Sequence, residues 1–317
     1  MTEQENKEYQ TVILAALLHD VGKFMQRDKD TKSNDTHEFL SKKFIEYHEN
    51  NLRYDDWYNL EVVKELAFCH ARPYKESEFF NKLTDEGKRE FKRLGAVVRA
   101  ADEYSCKERD YEQKRRDHGR NVAPLDSIFS QINLQQKNAK NKHPFYRYHI
   151  TSINPIDSFP EEFKKLDDGE ISRQVNKFKD DFERLPKFEK FEDLLNTLLT
   201  LLEKHTWCIP GDARYATSDI SLYDHLRTSS AIASCLYKYK IERRGREKFV
   251  LIGGDFSGIQ DYIYQITNMG SEGAAKRLRA RSFFVTIFVE ATIHKILDRL
   301  NLPITCIYSL LVESSSY

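Results

Sequence analysis

The stretch that most constrains this chain is Val12 to Lys23, VILAALLHDVGK. Val12, Ile13, Ala16 and Leu17 follow helical spacing, and Leu14 and Leu18 make the helix apolar on nearly every side. A helix without a polar face belongs in a core, so the surrounding domain must close over it. The run is far too short to span a bilayer. It ends in an imidazole beside a carboxylate, His19-Asp20, so two polar groups are carried to the edge of a buried element.

Such a pair can share one or two divalent cations: a neutral imidazole fills one coordination position and a carboxylate can bridge. A cation held this way acidifies a bound water, which makes a phosphorus–oxygen bond a natural target. Gly22 allows a turn after the pair, and Lys23 lies within reach of a phosphate oxygen. No histidine occurs in residues 1–18, so further ligands must come from downstream. His37 opens a helix expected over 38–47. His70 follows the apolar stretch Leu66-Ala67-Phe68, and Asp102 closes the helical stripe Phe91, Leu94, Val97, Val98, Ala101. His48, His118, His143, His149, His205 and His294 lack such a context and read as structural.

The chain has 317 residues, enough for about two domains with real cores. Fifty basic residues balance fifty acidic ones, so no global charge excess points to a nucleic-acid partner. The five cysteines form no CxxC pair, which fits isolated thiols in the reducing cytoplasm. The start, MTEQENKEYQ, is unlike a signal peptide, and no membrane association is expected.

Residues 107–120 read as a charged connector, and 122–160 as strands and loops. Helical spacing returns near Phe182, runs from Phe191 to Leu202, breaks at Pro210-Gly211 and resumes from Ser221 to Tyr239. Phe249 to Ile252 reads as a short buried strand. A basic loop with Lys276, Arg277, Arg279 and Arg281 precedes a helix expected over 282–300, and 303–308 reads as the next strand. Strand, helix and strand suggest the start of an α/β or ferredoxin-like domain. Asp255 sits after the first strand. The turn at Ser257-Gly258 could offer backbone N–H groups to phosphate, with Asp255 on Mg²⁺. The basic run is a candidate RNA or phosphate contact.

Four segments in this order resemble the large, Csm-type subunit of type III-A CRISPR effector complexes, described as a single-strand-specific deoxyribonuclease. They are LLHDVGKF from Leu17; RAADEYS from Arg99; Ile209-Pro210 with DISLYDH from Asp219; and GDFSGIQDYIY from Gly254 followed by LRARSF from Leu278. The resemblance implies a circularly permuted, all-helical HD domain (1–120), a connecting region packing on the palm (121–245) and an incomplete first palm (246–317). The fold class is thus mainly α with an α+β part, the palm being nucleotidyl-cyclase-like.

The resemblance also implies a metal-dependent nuclease on single-stranded DNA, with guide RNA and other subunits as partners. It places metal roles on His19, Asp20, His37, His70 and Asp102, and Lys23 joins His19 and Asp20 in catalysis. Imidazole-rich ligation favours Mn²⁺, Ni²⁺ or Co²⁺ over Mg²⁺. The family often has a His-His pair where this chain has Cys69-His70, which bears on a second metal. Asp255, Phe256, Ser257 and Gly258 would supply part of one ATP pocket. The family's Gly-Gly-Asp-Asp motif is absent, so no cyclic oligoadenylate synthesis is expected from this chain alone.

After Ser309 the resemblance leads to a Gly-rich hairpin, whereas this sequence reads LLVESSSY. A shifted reading frame over Leu311 to Tyr317 is the expectation, which the gene's nucleotide sequence decides. Two other functions fit the residues: a phosphohydrolase of small nucleotides, which needs a deep base pocket, and a silent scaffold without turnover.

Overall fold

The computed structural model describes residues 1–32, 34–106, 124–131, 146–156, 158–162, 168–212, 218–242, 247–264 and 273–308. The connector expected over 107–120 and the segment 309–317 lie outside them. The chain divides into two compact units, Met1–Arg244 and Gly245–Tyr317.

The first unit is built around α1 (Glu3–Leu18). Thr2 and Glu5 form a reciprocal capping box that satisfies the first free N–H groups. Every residue from Thr11 to Leu18 is buried. The faces that enclose α1 come from α5 (Leu60–Cys69), α7 (Asp85–Ser105) and α10 (Leu222–Glu242). Helix α7 turns in the expected stripe, Phe91, Leu94, Val97, Val98 and Ala101. Helix α10 meets α1 and α7 partly through small residues, with Ser229, Ser230 and Ser234 all fully buried.

The short α2 (Gly22–Met25) follows the His-Asp doublet and packs on α3 (His37–Tyr47). Gly22 acts here by close approach and not by a turn conformation. A Cβ at this position would lie 2.0 Å from the His37 carbonyl oxygen. The Gly22 N–H donates to Ser41 Oγ at 2.8 Å. The element α4 (Glu49–Leu52) and α6 (Glu78–Lys82) are single turns.

A two-residue antiparallel ribbon, β1 (Tyr146–Arg147) with β2 (Glu161–Glu162), is the strand structure among the described residues. Helix α8 (Asp168–Glu183) places Phe178 in parallel stacking on Phe44, with ring centroids 5.2 Å apart, and Phe182 edge-on to the same ring. Helix α9 (Phe191–Thr206) buries Leu194, Leu195, Leu198 and Leu202. Helices α8 to α10 therefore stand in one compact unit with the N-terminal helices, α10 directly against α1 and α7.

The second unit contains α11 (Ile259–Tyr264) and α12 (Ala274–Leu300), followed by a 3-10 turn at Ile304–Cys306. Three expectations are corrected here. Phe249 to Ile252 is not a buried strand: Val250 and Leu251 are 80% and 87% exposed. Residues 303–308 hold the 3-10 turn and not a strand. A strand exists only where a neighbour completes its ladder, and the described residues of this unit contain no other strand. The basic run is likewise not a loop, since Lys276, Arg277, Arg279 and Arg281 lie in the first turns of α12. No helix among the described residues is long and apolar enough to cross a membrane.

Candidate metal centre

Two helix ends use the same local device. The last carbonyls of a helix lack intrahelical donors. His19, at the end of α1, turns Nδ1 to the Ala16 carbonyl oxygen at 2.8 Å. His70, at the end of α5, turns Nδ1 to that of Ala67 at 2.7 Å. A carbonyl offers only lone pairs, so Nδ1 carries the proton and Nε2 of each ring presents a lone pair inward.

Those lone pairs converge on carboxylates. His19 Nε2 lies 3.5 Å from both Asp20 Oδ2 and Asp102 Oδ1. On the other oxygen of Asp20, His70 Nε2 and His37 Nε2 each lie 3.3 Å from Oδ1. Helix α10 adds His225, whose Nε2 is 3.2 Å from Asp20 Oδ2 and 3.3 Å from Asp102 Oδ1. The result is two overlapping groups, His19-Asp20-Asp102-His225 and Asp20-His37-His70, each with its ligand atoms within 4.8 Å of one another. Asp20 belongs to both, with one oxygen facing each group.

The donor set suits a divalent cation. His19 Nε2 and Asp20 Oδ1 are buried and have no hydrogen-bond partner. Orphaned buried atoms of this kind are costly unless something completes them. Burial alone would raise the Asp20 carboxyl, yet Lys23 and His19, with His225 and His70, hold it well below the usual carboxylate range. Asp102 is likewise pulled down: burial opposes ionisation, and the adjoining His19 and His225 rings overcome it. Burial pushes His37 down, which favours the neutral imidazole that a metal requires. His37 and Asp102 keep 27% and 26% of their side chains exposed, so the cluster opens to solvent along that edge.

The structure therefore brings together His19, Asp20, His37, His70 and Asp102. Lys23 is also at the cluster. Its ammonium pairs with Asp20 and donates to the Gly211 carbonyl oxygen at 2.8 Å, so it is held inward. Cys69 is in neither group. Burial pushes its thiol up to about 12, which keeps it protonated and a poor ligand. The second group thus rests on Asp20, His37 and His70.

His225 is the residue that sequence reasoning passed over. It lies in the DISLYDH segment but 205 positions from Asp20. The missing upstream histidine called for a distant ligand. The small residues Ser229, Ser230 and Ser234 marked α10 as a helix that others approach closely.

The remaining candidates lie in the second unit. Asp255, Phe256, Ser257 and Gly258 are exposed, and Gly258 takes the left-handed conformation (φ 79°) that the expected turn requires. The Phe256 ring packs edge-on to Phe288 at 5.2 Å. Lys276, Arg277 and Arg279 are exposed on α12, while Arg281 donates to the Tyr262 carbonyl oxygen at 2.6 Å.

The family model "HD domain" matches residues 1–106, and "Csm1 subunit domain B" matches 248–310. The curated relatives include the CRISPR system single-strand-specific deoxyribonuclease Cas10/Csm1 (subtype III-A) of Methanocaldococcus jannaschii. It is 29% identical over an alignment of 344 residues, covering 94% of this chain and 39% of that protein. The counterpart from Enterococcus italicus is 28% identical, covering 92% of this chain and 39% of that protein. This chain thus spans about two-fifths of the length of these relatives. Among solved structures, Csm1 of T. onnurineus superposes with a TM-score of 0.67 at 23% identity, over 96% of this chain and 38% of that one. A Csm1-Csm4 cassette in complex with AMPPNP gives 0.63 at 23% identity, over 94% and 37%. His225 lies outside the matched HD segment.

Proposed function

We propose that this chain, a relative of the Csm1 subunit of type III-A CRISPR systems over more than nine-tenths of its length, is a metal-dependent nuclease acting on single-stranded DNA. The observation that carries the reading is the pair of overlapping donor groups with Asp20 shared between them. His19, Asp102 and His225 with one Asp20 oxygen would hold one cation. His37 and His70 with the other oxygen would hold a second. When bound, such a pair supplies Lewis-acid activation of water and charge neutralisation at a scissile phosphodiester.

The protein's own residues set up that chemistry. The backbone carbonyls of Ala16 and Ala67 keep His19 and His70 as Nδ1–H tautomers. The Lys23 contact helps keep Asp20 ionised inside an apolar wall. The imidazole-rich donor set favours Mn²⁺, Co²⁺ or Ni²⁺ over Mg²⁺. The partly exposed edge at His37 and Asp102 is where a DNA strand would approach.

Because the relatives are named for a CRISPR system, we assign the chain to an effector complex with guide RNA and further subunits as partners. The Csm1-Csm4 structures favour a Csm4-type subunit among them. We place Asp255, Phe256, Ser257 and Gly258 at part of an ATP pocket, and Lys276, Arg277, Arg279 and Arg281 at a nucleic-acid contact. The free cysteines fit the cytoplasm.

The test is cleavage of labelled single-stranded DNA, duplex DNA and nucleoside triphosphates, with and without Mn²⁺. Single-strand cleavage that needs Mn²⁺ and disappears in His19→Ala/Asp20→Ala is expected. Cleavage surviving that double substitution sinks the assignment. Hydrolysis of triphosphates alone would turn the reading to a small-nucleotide phosphohydrolase, and no turnover to a scaffold.

A further inference from the structure

We infer that Ser105, supported by Ser229, is a positioning residue that fixes the tautomer of His225 and thereby turns its Nε2 lone pair toward the cation site. The inference rests on the reading that the His-Asp cluster holds a divalent cation.

Ser105 closes α7 and Ser229 lies one turn beyond His225 on α10, so the contact joins two helices. All three residues are buried: Ser105 is 3% exposed, His225 1% and Ser229 0%. Water therefore cannot supply missing partners, and the hydrogen-bond account must close within the protein.

A hydroxyl has one proton and two lone pairs. Ser105 Oγ donates its proton to the Asp102 carbonyl oxygen at 2.8 Å. One lone pair accepts the Ser229 hydroxyl at 2.9 Å. The other faces His225 Nδ1 at 3.0 Å. With its proton already used, Ser105 can only accept from the ring, so Nδ1 carries the hydrogen. Nε2 is then a lone pair that faces Asp20 Oδ2 and Asp102 Oδ1 at 3.2 and 3.3 Å. Three electron-rich atoms so close together call for a cation among them.

The arrangement matches what backbone carbonyls do for His19 and His70. His225 lies near the start of its helix, not at a C-terminal end with free carbonyls as His19 and His70 do, so a side chain from α7 takes that role. Without the Ser105 hydroxyl, the Nδ1–H would be left buried without an acceptor. Moving the proton to Nε2 relieves this, because two carboxylates wait there, and the ligand lone pair is lost to the wrong side of the ring. Partners of this kind around metal-bound histidines set metal affinity by roughly 10- to 100-fold.

The experiment uses the full chain as wild type, Ser105→Ala, His225→Ala and Asp20→Ala. Mn²⁺ affinity is measured by calorimetric titration. The tautomer of His225 is read in the metal-free protein from long-range ¹H–¹⁵N spectra. Circular dichroism melts identify any variant that fails to fold, and the wild-type tautomer then still tests the inference. We expect the Nδ1–H form in wild type, the Nε2–H form in Ser105→Ala, and an affinity loss of roughly 10- to 100-fold there. Wild type in the Nε2–H form, or a folded Ser105→Ala with wild-type affinity beside a weakened His225→Ala, overturns the inference alone. Wild type that binds no Mn²⁺ overturns the cation reading along with it.

Discussion

Single residues decide the chemistry of this protein through their protonation and their reach. Gly22 is an example of reach. Any side chain there collides with the His37 carbonyl at the start of α3. Gly22→Ala should therefore lower stability by about 1–3 kcal/mol, as overpacking does, and should weaken Mn²⁺ binding by displacing His37. Denaturant melts with metal titration check both. His48 is an example of protonation. It is buried against Phe44 and Phe182, neither ring nitrogen has a hydrogen-bond partner, and burial pushes it down to about 4. Because the folded state resists protonation more than the unfolded chain, its contribution is intact above about pH 6.5 and is lost as pH falls toward 4. The expected loss is up to about 2 kcal/mol, and His48→Phe should flatten that part of the stability profile.

These residues also mark what a sequence can and cannot reveal. His19 and Asp20 were legible because an apolar helix ran straight into them, and Asp102 because a clear stripe ended there. Gly22 was noticed for the wrong reason, since a close approach of two helices leaves no local trace. His225 was not picked out as a ligand because its partners lie 120 to 205 residues away, and nothing in its neighbours names Ser105.

At the scale of elements, periodic helices were readable, as was the short strand β1 inside the stretch read as strands and loops, while the strands expected in the second unit were not found. Helix α7 carries its predicted stripe, and α9 and α10 stand where the spacing put them. Phe249 to Ile252 has strand composition, but composition cannot supply the neighbour that completes a ladder. The charged run in the first turns of α12 was read as a loop because helical spacing shows only where an apolar face exists. Aromatic packing between α3 and α8 holds the second half of the first unit to the first. Phe178 touches Phe24, Phe44 and Phe182. Phe178→Ala should cost about 3–5 kcal/mol in chemical denaturation. Reversing Lys276, Arg277 and Arg279 to Glu should weaken single-stranded nucleic-acid binding and flatten its salt dependence, while leaving Mn²⁺ affinity unchanged.

At the scale of the molecule, the division at Arg244–Gly245 separates two kinds of surface. The first unit holds every member of both donor groups. The second exposes large apolar side chains on α12, with Phe283, Phe284 and Phe288 at 65%, 56% and 49% exposure. A patch of that kind promotes association. Residues 1–244 expressed alone should accordingly stay monomeric in light scattering and bind Mn²⁺ as the full chain does. An inability of that piece to bind metal would show that the second unit contributes to the site.

The central claim is that Asp20 joins two cation sites completed by ligands from opposite ends of the unit. Its most direct test is the Mn²⁺ stoichiometry of wild type, His225→Ala, His70→Ala and Asp20→Ala, measured by equilibrium dialysis with elemental analysis. The account predicts two ions per chain in wild type, one in each histidine variant and none in Asp20→Ala. Wild-type stoichiometry retained in Asp20→Ala, or in His225→Ala, would contradict it.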